Sequence, residues 1–241
     1  MKKDITVEFK NVTKKYNLTQ YSKKGIINLL LNKKNTKKKI VLENISFQIS
    51  KGESIAILGK NGMGKSTIIK LLSGISYPTS GEIKTKGKVS SILELNAGFE
   101  TDFTGRENIY LKCQILDLTK KEIDKIMNSI IDFADIGEYI DEPVRTYSSG
   151  MRARLGFAIS VHIKPDILAV DEVFSVGDYN FKQKCFNKIK EIKNDENVTF
   201  ILVTHSPEIA EEFCTRGLLL DKGKIIYDGN IKTCINKYLK Q

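Results

Sequence analysis

No stretch of the sequence approaches the run of about 18 consecutive apolar residues that a membrane-spanning helix needs, so no such span is expected. The opening Met1-Lys2-Lys3-Asp4 leads into an alternating pattern and not into the apolar block of a secretory signal. Cysteine is sparse, and Cys113, Cys185, Cys214 and Cys234 lie far apart with no Cys-x-x-Cys pair, while His162 and His205 are the only histidines. That set disfavours both a zinc site and a disulfide framework and fits a reducing cytosol. With only 4 prolines against 41% hydrophobic and 28% charged residues, the composition excludes a disordered or fibrous chain. The sequence shows no internal repeat, which excludes solenoids and propellers.

What is there is one core's worth of globular sequence, 241 residues, with room for a satellite lobe. Lys plus Arg outnumber Asp plus Glu by 39 to 29, so the field of the protein attracts polyanions: nucleotides, nucleic acid or an acidic membrane face. The excess is concentrated near the N-terminus, where Lys33, Lys34 and Lys37 to Lys39 read either as a solvated surface run or as a polybasic contact with anionic lipid headgroups. Residues 5–12 alternate as a strand with one wet face. In contrast, 54–59, 167–171 and 199–205 are nearly continuous apolar runs, as in strands buried on both faces. Such runs separated by helical stretches predict a parallel sheet covered by helices on both sides, with ligands at the carboxyl ends of its strands. Between Gly98 and Ile163 the strand pattern gives way to three helical stretches, 106–116, 120–133 and 149–162, which predicts a helical subdomain inserted in the core. The segment 17–39, with Ile26 to Leu31 framed by lysines, reads as a short amphipathic helix on a surface, at a membrane interface or against the protein's own core.

The chemistry is concentrated in Gly59-Lys60-Asn61-Gly62-Met63-Gly64-Lys65-Ser66, which fits the P-loop pattern Gly-x4-Gly-Lys-Ser/Thr and stands between a buried strand and a helix-like Ile68-Ile69-Lys70-Leu71-Leu72. Glycines let the backbone wrap a phosphate with its N–H groups inward, and the helix that follows presents the positive end of its dipole. Lys65 adds charge toward the β- and γ-phosphates, and the Ser66 hydroxyl is a natural Mg²⁺ ligand. Asp171 and Glu172 close the buried strand at the same edge of the sheet. An Asp-Glu pair is often mere punctuation at a strand end, but beside a P-loop the first carboxylate holds Mg²⁺ and the second polarises the attacking water. His205 ends the next buried strand, ahead of Ser206 and Pro207, which suit the cap and first turn of a helix.

With these residues assembled, the chain resembles the ATP-binding subunit of an ABC transporter over nearly all its length. Tyr147-Ser148-Ser149-Gly150-Met151, opening a helix before Asp171, is similar to the family's Leu-Ser-Gly-Gly-Gln signature. In the family this helix start binds the γ-phosphate held by the P-loop of the opposite protomer. Ser175 to Asp178 fall where the family has its D-loop, His205 where it has its switch histidine, and Tyr16 where it has an aromatic stacked on adenine, although Tyr16 reads equally as a core residue at a strand end. Ser149 stands in place of the first signature glycine and Met151 in place of its glutamine, so backbone contacts through Ser148 and Gly150 carry over more safely than side-chain ones. No glutamine stands where the Q-loop follows the strand 89–93; Glu94 and Asn96 are there instead, and either or neither could replace it. These departures, together with Thr104 to Ile109, Tyr147 to Phe157, Asp171 to Asp178 and the basic insertion after Tyr16, resemble the branch that exports teichoic acid, O-antigen and capsule. The chain ends soon after the core, so the carbohydrate-binding domain appended to some O-antigen exporters is not expected.

The resemblance implies an α/β P-loop fold over residues 1–241, with a mostly parallel sheet flanked by helices, an antiparallel β subdomain and the helical subdomain at 98–163. It also implies a homodimer closing around two MgATP. Gly59, Asn61, Gly62, Met63, Gly64, Lys65, Ser66 and Thr67 would line the phosphates, and Ser66 and Asp171 would hold the metal. Glu172 would act as base, His205 would sense the γ-phosphate, and Asp178 would lie in the D-loop. The expected partner is a separate polytopic permease that handles a lipid-linked glycan, with this chain peripheral on the cytoplasmic face of the membrane and no nucleic acid bound. The competing class is a soluble ABC-type ATPase acting on nucleic acid or ribosomes, which the charge permits; a nucleotide-binding scaffold without turnover is a third.

Overall fold

The computed structural model describes residues 4–18, 37–92, 98–171 and 178–241. The expectations for the insertion between 19 and 36, for Glu94 and Asn96, and for Glu172 and Ser175 lie outside the described residues. Two long strands, β1 (Ile5–Leu18) and β2 (Lys37–Ser50), pair antiparallel, and β4 (Ser80–Thr85) joins the other side of β1 to give the order β2-β1-β4. Strand β1 runs six residues past the 5–12 expected from alternation. Its register shifts between Phe9 and Val12 and again between Val12 and Lys15, with Asn11 at φ 50°, and each shift erases the period of two that a sequence reader follows. Phe9 and Phe47 stack across the pair at 4.5 Å.

The second sheet has six strands in the order β5-β6-β7-β3-β8-β9. Its members are β3 (Ser54–Leu58), β5 (Val89–Ser91), β6 (Ile167–Asp171), β7 (Thr199–Thr204), β8 (Arg216–Asp221) and β9 (Lys224–Asn230). The first five are parallel and β9 returns antiparallel on β8. The continuous apolar runs have their explanation here, because successive side chains point to opposite faces and both faces are covered. Ile55, Ile57, Ile201, Val203, Leu218 and Leu220 enter one core, shared with the three-stranded sheet and with Ile68 and Ile69 of α1 (Lys65–Leu72). Ala56, Leu58, Phe200, Leu202 and Leu219 enter the other, shared with the helices.

Those helices are α2 (Gly105–Ile115), α3 (Lys120–Ala134), α4 (Ser149–His162), α5 (Tyr179–Lys193), α6 (Pro207–Phe213) and α7 (Ile231–Leu239). Thr104 with Glu107 and Thr119 with Glu122 form capping boxes that start α2 and α3, each satisfying two otherwise orphaned N–H groups. Arg216 helps to tie the two sheets, donating to Gln48 O and Glu53 Oε1, both at 2.9 Å, and forking onto Asp228 with two bonds of 2.6 Å; the Thr6 and Thr199 hydroxyls meet across them at 3.0 Å. Among the described residues no helix is long and apolar enough to cross a membrane.

Candidate nucleotide site

Register brings the site together. Leu58 of β3 pairs with Thr204 of β7 and Asp171 of β6 pairs with Val203, so the carboxyl ends of three neighbouring strands stop level. The loop 59–64, Asp171 and His205 all leave the sheet at that edge, where a crossover sheet leaves room for a ligand. Helix α1 begins there with Gly64 as its N-cap at φ 105° and no side-chain cap, so the N–H groups of Lys65, Ser66 and Thr67 have no acceptor within the helix. Gly62 sits at φ 80° with open space where a Cβ would be, as a surface that must admit a large anion requires. Gly64 is the opposite case: a Cβ there would lie 2.7 Å from Leu42 Cδ2 and 2.9 Å from Val41 O. Strand β2 thus forms a roof over the loop. Asn61 is exposed and Met63 half-buried, its Sδ accepting from the Lys222 N–H at 3.2 Å.

Lys65 is 7% exposed, and its ammonium donates to the carbonyls of Gly59 and Lys60 in its own loop. Burial lowers its pKa, and the Asp171 carboxylate pulls the other way. Asp171 is raised by the same burial, opposed by the Ser66 hydroxyl and by Lys65. Ser66 Oγ donates to Asp171 Oδ2 at 3.1 Å. One hydroxyl and one carboxylate converging beside a bed of free N–H groups is a hard-oxygen donor set, and it suits an ion such as Mg²⁺ that takes few protein ligands and completes its shell with phosphate and water. The residues fit the metal.

His205 is exposed, held one residue beyond β7 by the turn in which Ser206 N–H donates to Thr204 Oγ1 at 3.0 Å and Ser206 Oγ caps α6. Tyr16 lies on the far part of β1, opposite Lys39; it is 39% exposed, with the Lys14 ammonium 5.0 Å from its ring centroid, and so is no core residue. A second helix start faces solvent. Ser148 N-caps α4 and accepts from Met151 N–H at 3.2 Å, Ser149 is exposed, and a Cβ on Gly150 would meet nothing closer than Ser148 Oγ at 3.7 Å. Asp178 N-caps α5, and its pKa is held down by the Phe181 N–H and by Arg154. Sequence reasoning missed Arg154. From α4 it reaches Asp178 and the carbonyl and carboxylate of Asp135, with its guanidinium 4.8 Å from the Phe181 ring centroid. No local pattern announces it, because its partners are 19 and 24 residues away. Val41 and Leu42, the roof over Gly64, were equally invisible as site residues.

A glycine-lined loop after a buried strand, an uncapped helix start, a buried lysine and a hydroxyl–carboxylate pair together define a P-loop protein that takes a nucleoside triphosphate. Residues 42–175 match the family model described as ABC transporter. The chain is 42% identical over 238 residues to the O-antigen export system ATP-binding protein RfbB of Klebsiella pneumoniae, covering 96% of each protein. It is also 42% identical over 232 residues to the teichoic acids export ATP-binding protein TagH of Bacillus anthracis, covering 96% of this chain and 42% of that one. The fold matches the ATP-binding cassette MJ0796, solved as a dimer in a post-hydrolysis state with ADP and Pi, at a TM-score of 0.72 and 21% identity over 93% of this chain and 98% of that one. The chain belongs to the ABC transporter family.

Proposed function

We propose that this chain is the ATP-hydrolysing subunit of an exporter for a lipid-linked cell-surface polysaccharide, of the kind named in RfbB and TagH. It would work as a homodimer beneath a separate polytopic permease, on the cytoplasmic face of the membrane. The observation that carries the catalytic part is the Ser66–Asp171 contact laid against the uncapped start of α1. The N–H groups of Lys65, Ser66 and Thr67, with the open backbone at Gly62, take phosphate oxygens, and Gly59, Asn61, Met63 and Gly64 shape the loop around them. Lys65 exchanges its carbonyl acceptors for the β- and γ-phosphates. Ser66 and Asp171 hold Mg²⁺, which when bound spreads the charge that develops on phosphoryl transfer. Glu172 orients or deprotonates the attacking water, and His205 faces the γ-phosphate. Tyr16 offers its ring to adenine once Lys14 is displaced.

The start of α4 in the partner copy, through Ser148, Ser149, Gly150 and Met151, supplies a second set of donors to the same γ-phosphate, with Asp178 at the seam. ATP therefore holds two copies closed because only the closed pair contacts it from both sides, and cleavage removes that advantage. Catalysis by positioning and fixed dipoles needs no covalent step. The test is Glu172→Gln. It should retain ATP binding, accumulate an ATP-dependent dimer by size-exclusion chromatography and lose phosphate release; undiminished release would remove Glu172 from the role of base. A pull-down from native membranes should recover a polytopic partner, and recovery of ribosomes instead would overturn the export reading.

A further inference from the structure

The net charge of the protein is located in one place. Residues 10–42 contain ten lysines, with no arginine, aspartate or glutamate. Subtracting them from the totals leaves 29 basic and 29 acidic residues elsewhere, so the whole +10 resides in this stretch. The described part of it is the far end of the β1–β2 pair. Strand β4 leaves β1 at Thr13, opposite Ser80, and beyond that point only β1 and β2 pair, although Lys14 Nζ donates to Tyr77 O at 2.7 Å and Lys15 N–H to Thr79 Oγ1 at 2.9 Å just ahead of β4. On this two-stranded ribbon Lys15 pairs with Ile40, Tyr16 with Lys39 and Asn17 with Lys38. Lys15, Lys38 and Lys39 are exposed, and among the described residues none of the three ammonium groups has an ionic or hydrogen-bonded partner. Strand alternation puts Ile40, 49% exposed, on the same face as Lys15 and Lys38, with Tyr16 and Lys39 on the other.

We infer that this ribbon docks on the anionic headgroups of a bilayer. Its paired residues span only about 15 Å, comparable with the Debye length near 0.1 M salt, so its charges act on a plane surface as a unit. Every cation is lysine, a compact point charge suited to diffuse attraction and not to the forked recognition of a single phosphate or base for which arginine is used. The exposed Ile40, on the same face as Lys15 and Lys38, is an apolar side chain that the headgroup boundary can bury. The choice of lipid over nucleic acid rests on the export reading; the charge map does not. A membrane contact at the ribbon would hold the cassette in one orientation beneath its permease.

The test is co-sedimentation of the full chain, without nucleotide, with vesicles of phosphatidylcholine alone and of phosphatidylcholine with one third phosphatidylglycerol. The chain should bind the second and not the first, and binding should weaken with salt. A lysine near such a surface is worth about fivefold in partitioning, so the combined Lys15→Gln, Lys38→Gln, Lys39→Gln variant should bind on the order of 100-fold more weakly. A control with the same charge change on α3, Lys120→Gln, Lys121→Gln, Lys125→Gln, should bind close to wild type. Equal loss in the two variants, no preference for phosphatidylglycerol, or ribbon-dependent binding to polyuridylate RNA that outcompetes vesicles would each overturn the inference. Phosphate release is read on the same preparations without vesicles: its absence from wild type would refute the ATPase reading while leaving the vesicle result standing.

Discussion

Replacing Lys65 by methionine separates what the amine does for the empty loop from what it does for nucleotide. In the structure the ammonium bonds the carbonyls of Gly59 and Lys60, and it must give these up to reach phosphate. Hydrogen bonds to charged groups contribute about 1.5–3 kcal/mol each, and those between two ions stand at the upper end, so exchanging carbonyl for phosphate acceptors leaves a net gain of about 2–3 kcal/mol. Lys65→Met should therefore weaken ATP binding by roughly 30- to 150-fold. The same variant strands two carbonyls beside a buried methionine and should lower unfolding stability by about 1–3 kcal/mol, which urea titration measures independently. Calorimetry with ATP, ADP and AMP is the decisive assay, because an amine aimed at the β- and γ-phosphates adds nothing to AMP. Phosphate should also restore the charged form that burial disfavours, so ATP binding should take up protons on the alkaline side of neutrality, seen as a dependence of apparent enthalpy on buffer. An equal loss of affinity for all three nucleotides would mean that the loop had collapsed and that the amine has no specific role. Unchanged ATP affinity would remove Lys65 from the site altogether.

Three further outcomes follow from the geometry. Gly64→Ala places a methyl group against Val41 O and Leu42 at a φ of 105°, a strain of about 1–3 kcal/mol that should appear as weakened ATP binding before it appears in circular dichroism. Phe157→Ala empties a fully buried position that packs on Phe133 and Phe181, and should cost about 3–5 kcal/mol in urea unfolding without altering the phosphate contacts; a cost below 1 kcal/mol would refute the assigned core. Burial pushes the Lys112 amine, which lies 3.8 Å from the Phe99 ring centroid, down to about 8 from 10.5. The unfolded chain keeps that proton to higher pH, so this group's penalty is full below about 8 and fades toward 10.5, and the stability of wild type should rise relative to Lys112→Met across that window. A constant difference between the two proteins would refute it.

What could be read in the sequence was local. The three helices expected at 106–116, 120–133 and 149–162 stand at Gly105–Ile115, Lys120–Ala134 and Ser149–His162, because their starts are fixed by short-range caps at Thr104, Thr119 and Ser148. The P-loop, Asp171 and His205 could be placed at one edge because apolar runs buried on two faces belong to a parallel sheet whose carboxyl ends share a side. The extension of β1 could not be read, since its bulges shift the pattern and residues 15–17, all exposed, are held by pairing with β2 and not by burial. Strands β4 and β9 were passed over for a related reason: each has a side facing water, so they lack the continuous apolar run that marked β3, β6 and β7. Arg154 and Val41 take their meaning from partners that only the folded chain brings near.

One peptide unit has a consequence larger than its size. The carbonyl of Val41 lies against Gly64 of the phosphate loop on one side and against Gly223 of the β8–β9 turn on the other, where a Cβ would come within 2.5 Å of it, and the neighbouring Glu43 N–H donates to Gly223 O at 2.9 Å. The lysine ribbon and the triphosphate cradle therefore share a hinge pin, clamped from both directions with no slack for a methyl group. By thermodynamic reciprocity, whatever factor nucleotide contributes to binding at the ribbon is the factor that binding at the ribbon contributes to nucleotide affinity.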